Sequence, residues 1–111
     1  MKVPQHQLQA TLGFYRDVLG LEHLKTHGTS EAFRFGDCCL WIEPAPQLAQ
    51  AETWFELQTD DLPAAAAHLA KHGVVRCDDI EQLPHGFKGF WIINPAGIVN
   101  LVAHPSEDPG L

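Results

Sequence analysis

The sequence predicts an α+β fold in which one domain is made of two similar modules, each pairing a helix with short strands. Three observations predict it. Two segments with apolar residues at helical spacing each stop at a glycine, Gly20 and Gly73. Each stop is followed by short runs with strand-like alternation and glycine-containing turns. The chain of 111 residues is 45% hydrophobic and carries three tryptophans and six phenylalanines. That is enough for the core of one small domain and too much for a disordered chain.

Residues 1–5 leave room only for a very short first strand, so the first strand of module one is short or missing. Leu8, Leu12, Tyr15 and Leu19 then mark a helix, with Phe14 and Val18 widening its apolar stripe. Strands are expected at residues 23–26, 31–35 and 38–42, divided by turns at His27-Gly28 and Gly36-Asp37. Phe33 and Phe35 share one face of their strand, Ala32 and Arg34 the other. Residues 43–52, with two prolines, read as a connector. The order then repeats with a strand at 54–58 and a helix opening after Asp61, a suitable N-cap, with Pro63 in its first turn and four alanines behind it. Strands follow at 74–77, with a possible extension near Ile80, and at 88–93 and 98–103. The last residues, SEDPGL, read as a loose tail. The modules therefore span about 1–48 and 53–104, and their sheets, each with a helix outside, would bury the remaining faces around a shared cavity.

Seven basic against fourteen acidic side chains leave a net charge of −7, which disfavours nucleic acid and anionic membrane surfaces as partners. No apolar run is long enough to span a bilayer and the start lacks the apolar stretch of a secretion signal, so a cytoplasmic location is the default expectation. Cys38, Cys39 and Cys77 are odd in number, and adjacent strand residues point to opposite faces. They read as buried or half-buried small hydrophobes and poor co-ligands. HGFKGF lacks a phosphate-cradling pattern, and neither Ser30 nor Ser106 lies in a nucleophile elbow.

The segments LGFYRDVLGLE, WFELQTDDLPAAAAHLAKHGV and GFWIINPAGIVNLVAH, taken in that order, resemble the vicinal oxygen chelate superfamily, the glyoxalase I, bleomycin-resistance and extradiol-dioxygenase group. In NPAG, Asn94 stands where the family commonly has Asp, and Ala96 replaces a frequent acidic residue. The resemblance covers roughly residues 3–104. It implies two βαβββ modules with curved sheets around a shared cleft, and a homodimer.

Catalytic relatives hold a divalent ion through imidazole and carboxylate groups that converge from several strands. By the resemblance, the first-strand ligand position falls before Met1, its counterpart in module two is Trp54, and Leu101 stands where a glutamate is frequent. Asn100 takes that place only if a one-residue gap is allowed. Glu43 is a weak metal candidate, and it could instead simply close its strand. The seven histidines form neither HxH nor HExxH. His68 and His72 share a helix face that packs outside the sheet, which reads as a structural pair.

The expected function is therefore a metal-free small-molecule-binding protein of the glyoxalase and bleomycin-resistance type, with no cofactor and a planar or hydrophobic ligand. The alternative is a metal-dependent lyase, isomerase or dioxygenase of the same superfamily. Candidate ligand-binding residues are Trp41, Trp54, Glu56, Gln58, His85, Phe90, Ile92 and Asn100. A tryptophan wall with a few polar groups suits stacking, and it equally suits plain core filling. Phe90 and Ile92 alternate with Trp91 and Ile93, so either pair could face the cleft. His85, between Pro84 and Gly86, either overhangs the pocket or belongs to a solvated hairpin.

Overall fold

The computed structural model of the chain describes residues 1–107 and divides into two compact units between Thr53 and Trp54. The first contains β1 (Lys2–Val3), α1 (Leu8–Gly13), β2 (His23–His27), β3 (Ser30–Phe35) and β4 (Cys38–Pro44). The second contains β5 (Phe55–Gln58), α2 (Leu62–Lys71), β6 (Val75–Arg76), β7 (Gly89–Ile93) and β8 (Val99–Ala103). Both sheets have one strand order, β1-β4-β3-β2 and β5-β8-β7-β6, in which the first strand runs parallel to the last and the other pairs are antiparallel. Each unit is thus a βαβββ module, and the fold is α+β. Ser106 and Glu107 close a short 3-10 turn, and the rest of the expected loose tail lies outside the described residues.

In the first unit the core is Val3, Leu8, Leu12, Phe33 and Ile42, with Tyr15 and Leu40 packed against it. The helical segment does not keep one period. Beyond Gly13 it passes into a π-helical turn, Phe14–Val18, in which the Leu19 amide donates to the Phe14 carbonyl at 2.9 Å. An i→i+5 turn holds more residues than an α-turn, so side chains beyond it lose register with the buried stripe. Val18 and Leu19 are accordingly exposed, and Phe14, which opens the turn, is exposed as well, which corrects the broad apolar stripe expected there. Gly20, at φ +66°, then ends the segment as expected. A second correction concerns β4, which runs through Glu43 and Pro44 before the connector begins, because Lys2 and Val3 of β1 pair with those two residues. Cys38 and Cys39 stand opposite Phe35 and Arg34 on alternate faces, and Cys38 is exposed where a half-buried thiol was expected.

In the second unit α2 starts where Asp61 Oδ1 accepts from the Ala64 amide at 3.0 Å, with Pro63 in the first turn. Its small face lies on Phe90, Ile92 and Val102 through Leu62, Ala65, Ala66 and Leu69. Strand alternation and register sort the sheet into rows. Phe55, Asn100 and Ile92 form one row on the helix side, and Leu57, Val102 and Phe90 form the next. The helix-distal face carries the row Glu56, Leu101 and Trp91, followed by Gln58, Ala103 and Gly89. The expected strand near Ile80 is instead a turn, with Ile80 exposed.

Candidate functional site

The helix-distal face of the second sheet gathers three of the expected ligand-binding residues. Trp54 precedes β5 in phase with Glu56 and Gln58, and its ring meets Trp91 edge to face, with centroids 5.4 Å apart and planes at 79°. That geometry places the positive edge of one indole on the negative face of the other. Gln58 Nε2 donates to Glu56 Oε2 at 3.0 Å, which holds the carboxylate that begins the row ending at Trp91. Trp91 is only 6% exposed, whereas Trp54 is half-buried and Glu56 and Gln58 are exposed. The reachable surface is therefore one indole with a carboxylate and an amide beside it, resting on a second, fixed indole.

Trp91 is fixed by the loop between β6 and β7. Its Nε1 donates to the Glu81 carbonyl at 2.8 Å, and its amide donates to Asp78 Oδ1 at 3.0 Å. Asp78 Oδ2 also takes Arg76 at 2.7 Å. Burial pushes the Asp78 carboxyl upward, but the Trp91 amide and the Arg76 guanidinium together outweigh it and leave the group below its ordinary range. Further along this loop the Phe87 ring lies so close to Gly89 that a methyl there would sit 2.8 Å from the ring and 2.8 Å from the Val102 carbonyl.

The other candidates are placed elsewhere. Phe90 and Ile92 are buried beneath α2, and Asn100 is in register with Ile92 on that same side. Of the two alternating sets on β7, Trp91 and Ile93 take the helix-distal face. The physical reason is that α2 offers small residues over β7, and Phe90 and Ile92 fill the space above them. Trp41 belongs to the first unit, on the helix-distal side of its sheet, in register with Ala32 and with Lys25 Nζ 5.4 Å from its ring. His85 is exposed in the turn closed by the Phe87 amide and the Pro84 carbonyl, at 3.0 Å.

A divalent ion does not fit the residues present. Glu43 pairs with Lys2, Nζ to Oε2 at 2.6 Å, so a cationic side chain already occupies the carboxylate. Trp54 and Leu101 offer no lone pair to a metal, and they flank Glu56 on its face of the sheet. Among the described residues no three His, Cys, Asp or Glu side chains are grouped so as to hold an ion. His68 and His72 touch each other, with ring centroids 4.6 Å apart, on α2.

Two βαβββ modules with this strand order constitute the vicinal oxygen chelate fold, that of the glyoxalase/bleomycin resistance/dioxygenase superfamily. Among solved structures, the chain is similar to a superfamily member from Vibrio splendidus 12B01, with 12% identity over 93% of this chain and 95% of the other, and a TM-score of 0.64. It is also similar to the Mn(II)-bound glyoxalase from Novosphingobium aromaticivorans, with 21% identity and a TM-score of 0.61, where 93% of this chain covers 36% of the longer one. A Legionella pneumophila protein described as an NAD-dependent benzaldehyde dehydrogenase gives 11% identity over 93% and 95% of the two chains, with a TM-score of 0.65. At these identities the likeness is one of fold. No family model matches the sequence, and no curated protein sequence does.

Sequence reasoning left Trp91 open as one of two alternatives, named Leu101 only as the residue standing where a glutamate is frequent, and missed Asp78 as the support of the site's face. The parity of β7 was undecidable from its own residues, since Phe90, Trp91, Ile92 and Ile93 are all large and apolar. The pairing of Trp91 with Leu101 decides it, and that pairing is a long-range fact.

Proposed function

We propose that the protein binds a planar, largely apolar small molecule without a resident metal ion, with the ligand stacking on the exposed part of Trp54. The observation that carries this reading is the edge-to-face Trp54 and Trp91 pair with Glu56 and Gln58 alongside. A half-buried indole resting on a fixed one is a preformed platform, so stacking orders few additional groups. The Glu56 carboxylate favours a ligand that carries a hydrogen-bond donor or a positive charge, and the overall charge of −7 acts in the same direction. The superfamily fold of the Vibrio splendidus and Novosphingobium proteins supports a small-molecule role, and the donor set above supports a metal-free one.

The test is a titration of tryptophan emission with 9-aminoacridine, a planar cation, in the wild type and in Trp54→Ala. Stacking on one ring contributes roughly 1–3 kcal/mol, so Trp54→Ala should weaken binding by about fivefold or more. A loss of thermal stability with unchanged affinity would instead mean that Trp54 only fills space, and the proposal would fail.

A further inference from the structure

On the opposite side of the same sheet, a groove of about 380 Å³ opens where the end of α2 parts from the strands. The alanines of α2 let the helix lie close to Phe90 and Val102, and Leu69 and Val74 then line its departure. Leu57, Leu69, Val74 and Ile92 form apolar walls, Asn100 lies among them, and His72 stands at the rim. The volume lies within the range of small-molecule pockets, which are mostly apolar with one or two placed polar groups.

Asn100 is the polar group that an apolar core does not explain. It is 8% exposed and is the one polar side chain among the buried described residues. Its Nδ2 donates to the Ile98 carbonyl at 3.1 Å, and a carbonyl only accepts, so the amide cannot be turned the other way. Oδ1 therefore points away from Ile98, and among the described residues nothing donates to it. No fully buried side-chain oxygen or nitrogen of the described residues lacks a partner, so Oδ1 reaches open space. The groove is the open space that Asn100 lines. An aliphatic side chain would fill this position without the desolvation that a half-used amide entails.

We propose that this groove is a second small-molecule site, taking a compact apolar molecule with one O–H or N–H donor that Asn100 Oδ1 accepts. Selectivity follows from the acceptor: a ligand of the same shape that lacks the donor leaves Oδ1 unpaired on binding. The site lies across the sheet from Trp54, and it stands or falls separately from the stacking platform.

The probes are 2-naphthol and 2-methoxynaphthalene, which share a ring system and differ in the donor. Binding is read from the methyl resonances of Leu69, Val74 and Ile92. The expected result is that both probes shift these methyls, with the naphthol binding about five- to tenfold more tightly, the size of one hydrogen bond. Asn100→Leu should bring the naphthol down to the affinity of the ether, and Trp54→Ala should alter neither. Equal affinities in the wild type would overturn the proposal. So would shifts confined to residues around Trp54 and Trp91, or groove methyls that move with protein concentration alone, which would mean that a second copy covers them. If Asn100→Leu fails to fold, the comparison of the two probes on the wild type still decides.

Discussion

Asn100 shows how one side chain changes meaning with strand parity. From the sequence its amide reads either as a ligand-binding group or as a hydrogen bond at a strand end, and the register opposite Ile92 turns it toward α2. The grouping of Trp54 with Glu56 and Gln58 was legible, since the three share a face by simple alternation. The face taken by Trp91 was not legible, because a strand apolar on both sides carries no phase. Gly89 has a definite steric role: Gly89→Ala should destabilise the protein by about 1–3 kcal/mol by crowding Phe87 and the Val102 carbonyl, measured as a lower urea midpoint. Asp78 gives a pH dependence. Its carboxyl is held below the ordinary range in the folded protein, so it contributes stability above the unfolded-state pKa that is lost as the pH falls through the lowered folded value. Glu31 acts in the same sense, with Thr26 and then His23 hydrogen-bonded to its carboxylate. Urea midpoints should therefore fall between about pH 5 and pH 3. Asp78→Asn keeps an acceptor for the Trp91 amide but should flatten the fall, and an unchanged slope would remove Asp78 from the explanation.

Elements were read more securely than faces, for reasons particular to each. α2 carries its own punctuation, with Asp61 as cap, Pro63 in the first turn and Gly73 at φ +72° past the end. Asp61→Ala should lose about 1 kcal/mol through the freed Ala64 amide, and Asp61→Ser or Asp61→Asn should recover most of it, in the same unfolding measurement. The first helical segment was legible in its start and its stop but not in its interior. The π turn at Phe14–Val18 depends on a hydrogen-bond shift that no residue type announces, and it exposes Val18 and Leu19. β1 and β6, at two residues each, are too short for periodicity, and each exists because a longer neighbour, β4 or β7, offers a ladder. The turn before β8 has a clear chemical cause, since Asn94 Oδ1 accepts from both the Ala96 and Ile98 amides beside Gly97 at φ +82°.

Over the whole chain, the repeat of one module was visible from the two glycine stops and the strands behind them, and both units have that strand order. Each unit keeps a small core and leaves large apolar side chains exposed away from the groove, with Phe14, Val18, Leu19 and Phe35 in the first and Phe55 and Ile80 in the second. Such surface is what a homodimer would cover. Analytical ultracentrifugation should give twice the 12.3 kDa chain mass, and a monomer at all concentrations would refute dimerisation. The metal-free reading turns on the side chains at the positions that the sequence resemblance assigns to metal ligands: Trp54, Leu101 and a Glu43 paired with Lys2. The deciding experiment is the metal content, by mass spectrometry, of protein saturated with Mn(II), Fe(II), Ni(II) and Zn(II) in turn and then desalted. Far less than one ion per chain should remain in each case, and an equimolar ion retained through desalting and lost in Glu43→Gln would contradict a metal-free site.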